Sequence, residues 1–163
     1  MKSRLITSLL VVAVFAAGCG TSTSSPNEAK ANAVHAWVTA TKFEAMVGDL
    51  QNDTAKIELA TKRRLPVLTM QTLCGILLID AQTANNDLPV PDRQVTALLG
   101  TAYGDLGAGA NQCFNAGDVD GALMAKSVEN RSKGLIALAQ ATSRLEALLG
   151  QPLSTTTTTT TLP

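Results

Sequence analysis

Apolar residues recur at intervals of three and four between about residues 28 and 150, and no stretch shows the strict alternation of a half-buried strand. This span is rich in alanine, leucine, glutamine and methionine, and it lacks the β-branched and aromatic runs that are typical of sheets. The pattern therefore predicts an all-α domain, which we interpret as an antiparallel up-down four-helix bundle.

The ends of the predicted helices are set by prolines, glycines and cap residues. The four helices begin after Pro26, at Leu65 and Pro66, at about Asp92, and after the cap residue Asp118; they reach Ile57, about Ala84, Asn115 and Leu149. The first helix carries Gly48, Asp49 and Asp53, and we expect it to bend there.

Two cysteines lie on the apolar stripes of the second and third predicted helices. The stripes are Val67, Met70, Cys74, Leu77, Ala81 and Ala84, and Val95, Leu99, Ala102, Leu106, Gly109, Cys113 and Ala116. Consecutive helices with a short connection are normally antiparallel neighbours, so the stripes should meet and Cys74 should form a disulfide with Cys113. The cysteines are offset along the helices by roughly 16 Å at 1.5 Å per residue, so the proline-rich connection 85–91 must climb to bring them together.

Residues 1–18 have the pattern of an export signal. Lys2 and Arg4 precede an apolar run, 5–17, that is short for a permanent membrane span, and residues 16–19 read Ala-Ala-Gly-Cys. This resembles the lipobox of bacterial lipoproteins, in which the cysteine is joined to diacylglycerol and becomes the first residue of the mature chain. The resemblance implies lipidation of Cys19 and a lipid anchor on the extracytoplasmic side of the cell membrane. An ordinary secretory signal cut near Gly18 is the alternative, and it also places the mature chain outside the cytoplasm.

Segments of low complexity flank the predicted domain, 28–150. Residues 19–27 are small and polar, which predicts a flexible tether. Residues 151–163 include seven consecutive threonines, Thr155 to Thr161, and predict a disordered tail. Such hydroxyl-rich, proline-flanked tails on exported proteins can also be O-glycosylated stalks.

Composition narrows the range of partners. The 163 residues carry no formal net charge, which argues against nucleic acid, because phosphate binding draws on an excess of lysine and arginine. With Cys19 joined to lipid, two cysteines remain in an oxidising compartment, in agreement with a disulfide. A zinc site needs closely spaced ligand pairs, and the single histidine, His35, stands apart on a polar helix face. We therefore predict no metal and no cofactor.

Catalytic equipment is sparse in this chain. The acidic residues Asp80, Asp105, Asp118 and Asp120 form no pair with acid–base spacing on one helix face, and caps or solvated surface explain them. No Gly-x-Ser-x-Gly elbow occurs, and a second histidine for a dyad is missing from the sequence. The sequence therefore predicts that the protein is not an enzyme.

A glycine run and a basic run each allow two interpretations. Gly100, Gly104, Gly107 and Gly109 do not match a dinucleotide fingerprint; they predict either close helix packing or a groove, lined by Tyr103, Met70 and Leu106, for an apolar ligand. The run 62–64, Lys-Arg-Arg, is either a solvated turn or a contact with anionic lipid headgroups beside the anchor.

Several short motifs together resemble a family of uncharacterised lipoproteins and secreted proteins of actinobacteria. They are Leu73-Cys74, Asp80, Leu88-Pro89-Val90-Pro91-Asp92, Gly109-Ala110-Asn111-Gln112-Cys113, and Gly117-Asp118 with the alanine-rich helix that follows. The resemblance spans about Trp37 to Leu149 and implies a shared fold without catalytic residues.

Together these features predict a non-enzymatic cell-envelope lipoprotein that acts as a binding or scaffold module. Its expected partners are the membrane, through the lipid anchor, and an envelope protein. The alternative is a carrier or sensor of a small apolar ligand such as a lipid or haem. The sequence leaves the oligomeric state open.

Overall fold

The computed structural model describes residues 25–117 and 120–155, and the regular structure in these ranges is entirely helical. The helices are α1 Pro26–Ala40, α2 Phe43–Arg63, α3 Val67–Asn85, α4 Arg93–Ala116 and α5 Gly121–Leu149. The all-α prediction is confirmed, but the described residues form five helices where the sequence predicted four. The predicted leader, Cys19, residues 20–24 of the tether, Asp118 and residues 156–163 lie outside the described residues.

The extra helix comes from a break in the first predicted helix, at Thr41 and Lys42 rather than near Gly48. Lys42 adopts a left-handed backbone with φ of 52°. Beside the break, Trp37 and Phe43 pack with ring centroids 5.4 Å apart. The turn lets α1 leave the line of α2 and pack against α5. We attribute the break to this packing, since no glycine or proline stands at the break.

Three helix starts carry side-chain caps. Ser25 and Glu28 form a reciprocal capping box at α1. The Asp92 carboxylate accepts a hydrogen bond from the Val95 N–H at 2.9 Å and begins α4, as its position in the sequence predicted. At α5 the cap is Asp120, which accepts from the Leu123 N–H at 2.9 Å, so the described helix starts later than the predicted cap at Asp118 implied.

The pairs α2 with α3, α3 with α4 and α4 with α5 are antiparallel, and α4 with α5 is the most extensive. The connection between α3 and α4 absorbs the axial offset by running beside the first turns of α4. Val90 bonds Thr96 through both its backbone groups, at 3.0 and 3.1 Å. This climb brings Cys74 and Cys113 to disulfide distance, with Cα atoms 5.9 Å apart and both side chains fully buried.

Glycine permits the close approach of α4 and α5 at two points. A Cβ on Gly109 would lie 2.6 Å from Cγ of Arg131 and 2.9 Å from the Ser127 carbonyl oxygen. A Cβ on Gly134 would lie 2.7 Å from Cγ of Leu106 and 2.9 Å from the Ala102 carbonyl oxygen. Close packing, one of the two readings of the glycine run, therefore holds for Gly109.

A polar contact is buried at the Gly109 crossing. Ser127 Oγ donates to the Gly109 carbonyl at 2.6 Å, and Arg131 Nε donates to Ser127 Oγ at 3.3 Å. Arg131 is 2% exposed, and burial lowers the pKa of its guanidinium. The sequence pattern did not predict that Arg131 is buried, because position 131 falls on the polar side of the amphipathic helix.

Asp92 joins three helices at one end of the molecule. Its carboxylate pairs with Lys30 Nζ of α1 at 2.5 Å and lies 3.8 Å from the Arg144 guanidinium of α5. The hydrogen bond from Lys30 is the main reason that the pKa of Asp92 is lowered. This contact places the first half of α1 beside the start of α4.

The domain extends beyond the predicted end at residue 150. Gly150 closes α5 with φ of 68°, as its position predicted, but Leu153 then turns back into the core and is only 8% exposed. The Leu153 N–H donates to the Glu146 carboxylate at 3.1 Å. Part of the segment predicted as tail is therefore ordered structure.

Candidate functional site

A groove of about 820 Å³ runs between α3 and α4 on the surface of the bundle. Its lining comprises Leu78, Ala81, Gln82, Asn85, Asn86, Tyr103, Gly104, Gly107, Ala108, Asn111 and Gln112. Along α4 the lining extends from Tyr103 to Gln112, about 14 Å at 1.5 Å per residue. The next turn along holds the Cys74–Cys113 disulfide, which ties the two walls together at that end.

Two glycines of the predicted run form part of this groove. A Cβ on Gly104 would meet no atom within 4 Å, and one on Gly107 would make only ordinary contacts at 3.9 Å with Ala81 and Leu78. Gly104 and Gly107 therefore line a groove, while its use by an apolar ligand stays a prediction. Of the predicted lining, only Tyr103 takes part, because Leu106 is fully buried in the core and Met70 lines a different cavity.

Five carboxamide side chains surround the groove, and none of its lining residues is charged: Gln82, Asn85, Asn86, Asn111 and Gln112. Gln112 Oε1 accepts a hydrogen bond from Asn130 Nδ2 at 3.0 Å, which leaves its amide hydrogens available. Asn111 Oδ1 likewise accepts from Asn115 Nδ2, at 2.6 Å. Sequence reasoning missed these amides, because isolated Asn and Gln residues on helices read as ordinary solvated surface.

Tyr103 lines the groove and carries a hydroxyl that is covered by its neighbours. The residue is 2% exposed, and its hydroxyl makes no hydrogen bond within the described part of the chain. Burial, with a smaller contribution from Asp87, raises the pKa of the phenol. An unpaired buried hydroxyl is unfavourable, because it has lost its water partners without replacement.

A second cavity, of about 460 Å³, lies at the end of the bundle where α2 meets α3 and α4 meets α5. Its apolar lining includes Leu65, Val67, Met70 and Met124, while Arg64 contributes a cation and Asp120 a carboxylate. Arg64 makes no ion pair with a described residue, and its left-handed backbone, φ 52°, ends α2. This cavity could hold a small apolar molecule with an acidic group.

The basic run 62–64 and the start of α1 lie at opposite ends of the bundle. Lys30 of α1 contacts Asp92 at the beginning of α4, whereas Arg64 lies beside Gly117 at the end of α4. These ends are about 36 Å apart along the 24 residues of α4. All three side chains of the run are exposed, in agreement with a solvated turn.

One carboxyl pair forms between two helices, whereas the sequence prediction concerned only pairs on one helix face. Asp80 of α3 is hydrogen-bonded to Asp53 of α2, which also accepts from Lys56 Nζ at 2.8 Å. Burial, followed by the hydrogen bond and charge of Asp53 and the charge of Asp49, raises the pKa of Asp80 to about 6. The pair lies outside both cavities.

The remaining singled-out residues lie apart from one another. His35 is exposed beside Lys42 and Leu153, Asp105 lies near Lys133 of α5, and Asp120 is a helix cap. Among residues 25–117 and 120–155, no group of three or more His, Cys, Asp or Glu side chains could hold a metal ion.

The outer face of α3 is unusually apolar. Leu68, Ile76 and Ile79 are 75%, 43% and 62% exposed, and Phe114 of α4 is 43% exposed. By length and composition α3 could cross a bilayer, with a mean hydropathy of 1.3, although its other face forms part of the bundle core. One such helix is weak evidence for a membrane span, because core helices of soluble proteins pass the same test.

Comparison of the chain with family models, curated proteins and solved structures finds no match.

Proposed function

We propose that this protein is a non-enzymatic cell-envelope lipoprotein, anchored through Cys19, whose helical domain binds an envelope component outside the cytoplasmic membrane. We place it with the actinobacterial lipoproteins and secreted proteins that its motifs resemble, and we regard α2 to α5 as the four-helix bundle of the domain, with α1 added at one end. The observation that carries the binding role is the uncharged groove between α3 and α4.

The groove has the properties of a preformed site. Its walls are two long helices, and a disulfide holds them together at one end. Binding sites are usually concave and largely formed before the ligand arrives, since ordering a flexible site costs binding free energy. Gly104 in the groove supports the same role. A glycine lowers helix propensity, and at this position it does not allow any closer packing of the helices.

Chain geometry supports an orientation for the anchored domain. Six residues lead from Cys19 to Ser25, and they can span at most about 21 Å. The anchor would therefore hold the α1 end of the bundle near the membrane. The run 62–64 lies at the far end, which favours the solvated-turn interpretation over a contact with lipid headgroups.

A carrier of a small apolar molecule is the second candidate, and the cavity beside Arg64 favours it. Leu65, Met70 and Met124 could surround an apolar body, and Arg64 could pair with an acidic group on it. A haem held through histidine is a poor fit to this cavity, since His35 lies at the opposite end of the bundle.

Photo-crosslinking in cells tests the binding role directly. A photoreactive amino acid replaces Gln82 in the groove, and in a matched control it replaces Lys133, whose side chain is 57% exposed on α5. The proposal predicts discrete crosslinked envelope species from position 82 that are absent from position 133. Equal products at both positions, or none at position 82, would contradict it.

Native mass spectrometry of the detergent-extracted protein separates the two candidates. Gly104→Leu fills the groove and Gly121→Leu fills the end cavity, and a Cβ at either glycine meets nothing within 4 Å. A co-purifying small apolar molecule that only Gly121→Leu displaces would establish the carrier. A protein free of such molecules, together with crosslinks at position 82, favours the binding module.

A further inference from the structure

We propose that the α3–α4 groove binds a neutral carbohydrate chain. This inference rests on the proposed binding function and adds the chemical class of the ligand. Three features of the groove support this inference: its lining has no charged side chain, five carboxamides belong to it, and Tyr103 has a buried hydroxyl without a partner among the described residues.

The absence of charged side chains from the lining favours a neutral ligand. Lysine, arginine, aspartate and glutamate make up 16% of the sequence, yet none is among the residues that line the groove. A charged ligand would lose part of its hydration in the groove without gaining an ion pair, and such desolvation is costly. Anionic glycans, nucleic acids and acidic or basic peptides are therefore poor fits.

Carboxamides match the hydrogen-bonding character of sugar hydroxyls. A hydroxyl both donates and accepts, and an amide side chain offers two donors and an acceptor side by side. The side chains of Gln82, Asn85 and Asn86 are exposed at the groove and make no hydrogen bond with described residues, so their donors and acceptors are available to a ligand. Asn111 and Gln112 have their oxygens engaged by other amides, which orients their N–H groups as donors.

Tyr103 supplies the independent observation. Its hydroxyl is buried and unpaired among the described residues, although the residue belongs to the groove lining. This covered hydroxyl gains a hydrogen bond only when a ligand hydroxyl displaces the side chains that cover it, and a site built in this way rejects analogues that lack the partner. The bare backbone at Gly104 gives a ligand close access to this part of α4.

A peptide fits the groove less well. An amphipathic helix would need apolar pockets at its anchor positions, and the apolar lining is limited to Leu78 and the two small residues Ala81 and Ala108. An extended peptide would need the open edge of a strand, whereas both walls are helices whose backbone groups are bonded internally.

The test is a ligand titration monitored by ¹⁵N NMR. It uses the disulfide-intact mature chain, in which Cys19→Ser removes the site of lipid attachment. The probes are maltohexaose, cellohexaose, laminarihexaose and α-1,6-mannohexaose, with hexagalacturonate as the anionic control. We expect at least one neutral probe to shift the amide signals of Gly104 and Gly107 while Gly121, at the far end of the molecule, stays unchanged. Hexagalacturonate should bind at least tenfold more weakly.

Three variants distinguish ligand contact from a structural effect. Gly104→Leu should lower the affinity at least tenfold, whereas Ala55→Leu, on an exposed face of α2, should leave it unchanged. Tyr103→Phe should lower the affinity about two- to tenfold, the range of one neutral hydrogen bond, without lowering the unfolding midpoint. A merely structural role for the hydroxyl would leave affinity unchanged.

Failure of this inference is distinguishable from failure of the proposed function. If no neutral probe moves the Gly104 and Gly107 signals but position 82 crosslinks to an envelope protein, the carbohydrate assignment is overturned and the binding function stands. If hexagalacturonate binds as tightly as the neutral probes, the charge argument is overturned. If Tyr103→Phe binds with unchanged affinity, the role given to the hydroxyl is wrong.

Discussion

One substitution made at two glycines should have opposite effects on stability. Gly104 of α4 and Gly134 of α5 both lie inside long helices, where alanine is favoured over glycine by about 0.8 to 1 kcal/mol. At Gly104 a Cβ meets nothing within 4 Å, so Gly104→Ala should collect this gain and raise the free energy of unfolding by about 1 kcal/mol.

At Gly134 the added methyl group has no room. It would lie 2.7 Å from Cγ of Leu106 and 2.9 Å from both the Ala102 carbonyl oxygen and the Leu106 nitrogen. Two of these neighbours are backbone atoms, so the helices must move apart, and overpacking of this kind costs typically 1 to 3 kcal/mol. Taking the upper value and subtracting the helix gain, Gly134→Ala should lower the free energy of unfolding by about 2 kcal/mol.

Urea unfolding followed by far-ultraviolet circular dichroism measures both variants against the parent protein. The two should differ by about 3 kcal/mol, or roughly 1.5 M in urea midpoint for an m-value near 2 kcal/mol per molar. A Gly134→Ala protein as stable as the parent would show that α4 and α5 do not approach as closely as described. A less stable Gly104→Ala protein would show that the groove is closed at Gly104 in solution.

Three further predictions concern the disulfide, the partly buried carboxyl of Asp80 and the end of the chain. Replacing Cys74 and Cys113 by serine should lower the free energy of unfolding by about 4 kcal/mol, which is the loop-entropy value for a separation of 39 residues. The helical circular dichroism signal should be retained at low temperature. Alkylation of both cysteines in the unfolded, unreduced parent would contradict the pairing. The pKa of Asp80 is raised from 3.8 to about 6, so the folded state binds a proton that the unfolded state has lost, and stability should fall as pH rises from about 4 to 6. Asp80→Asn should remove that fall and stabilise the protein at pH 7 by about 1 kcal/mol, a value discounted for the solvent exposure of the group; a steeper fall in the variant would refute the assignment. Deleting residues 156–163 should leave the melting temperature unchanged, whereas Leu153→Ala should lower it by several degrees, and calorimetry showing the reverse order would contradict the described end of the core.

The periodic part of the fold was predictable because burial in paired helices imposes a repeat on the sequence. All seven predicted stripe positions of α4 are buried, and on α3 only Val67 is partly exposed. The disulfide was predictable because both cysteines lie on apolar stripes that face each other, provided that the connection between α3 and α4 compensates for their axial offset. The break at Lys42 had no such signature, because tertiary packing of α1 and not a helix-breaking residue determines it.

The candidate site was only partly predictable. Glycines at positions 100, 104, 107 and 109 look alike in sequence, but only Gly109 faces a neighbouring helix closely. Whether a helix glycine packs or lies open depends on its angular position relative to the partner, and that requires the register of α5. The contact between Asp53 and Asp80 was missed for a related reason, since the residues come from different helices.

The most direct test of the account is the intact mass of the protein recovered from the membranes of a bacterium that processes lipoproteins. We predict a mature chain that starts at Cys19, carries a diacylglycerol on that residue, and lacks the two hydrogens lost on forming the bond between Cys74 and Cys113. In Cys19→Ser cells, the protein should appear either as an uncleaved precursor or in the soluble fraction. A processed Cys19→Ser product that stays on the membrane, or a mature parent chain with an unmodified Cys19, would contradict the lipoprotein assignment on which the proposed function depends.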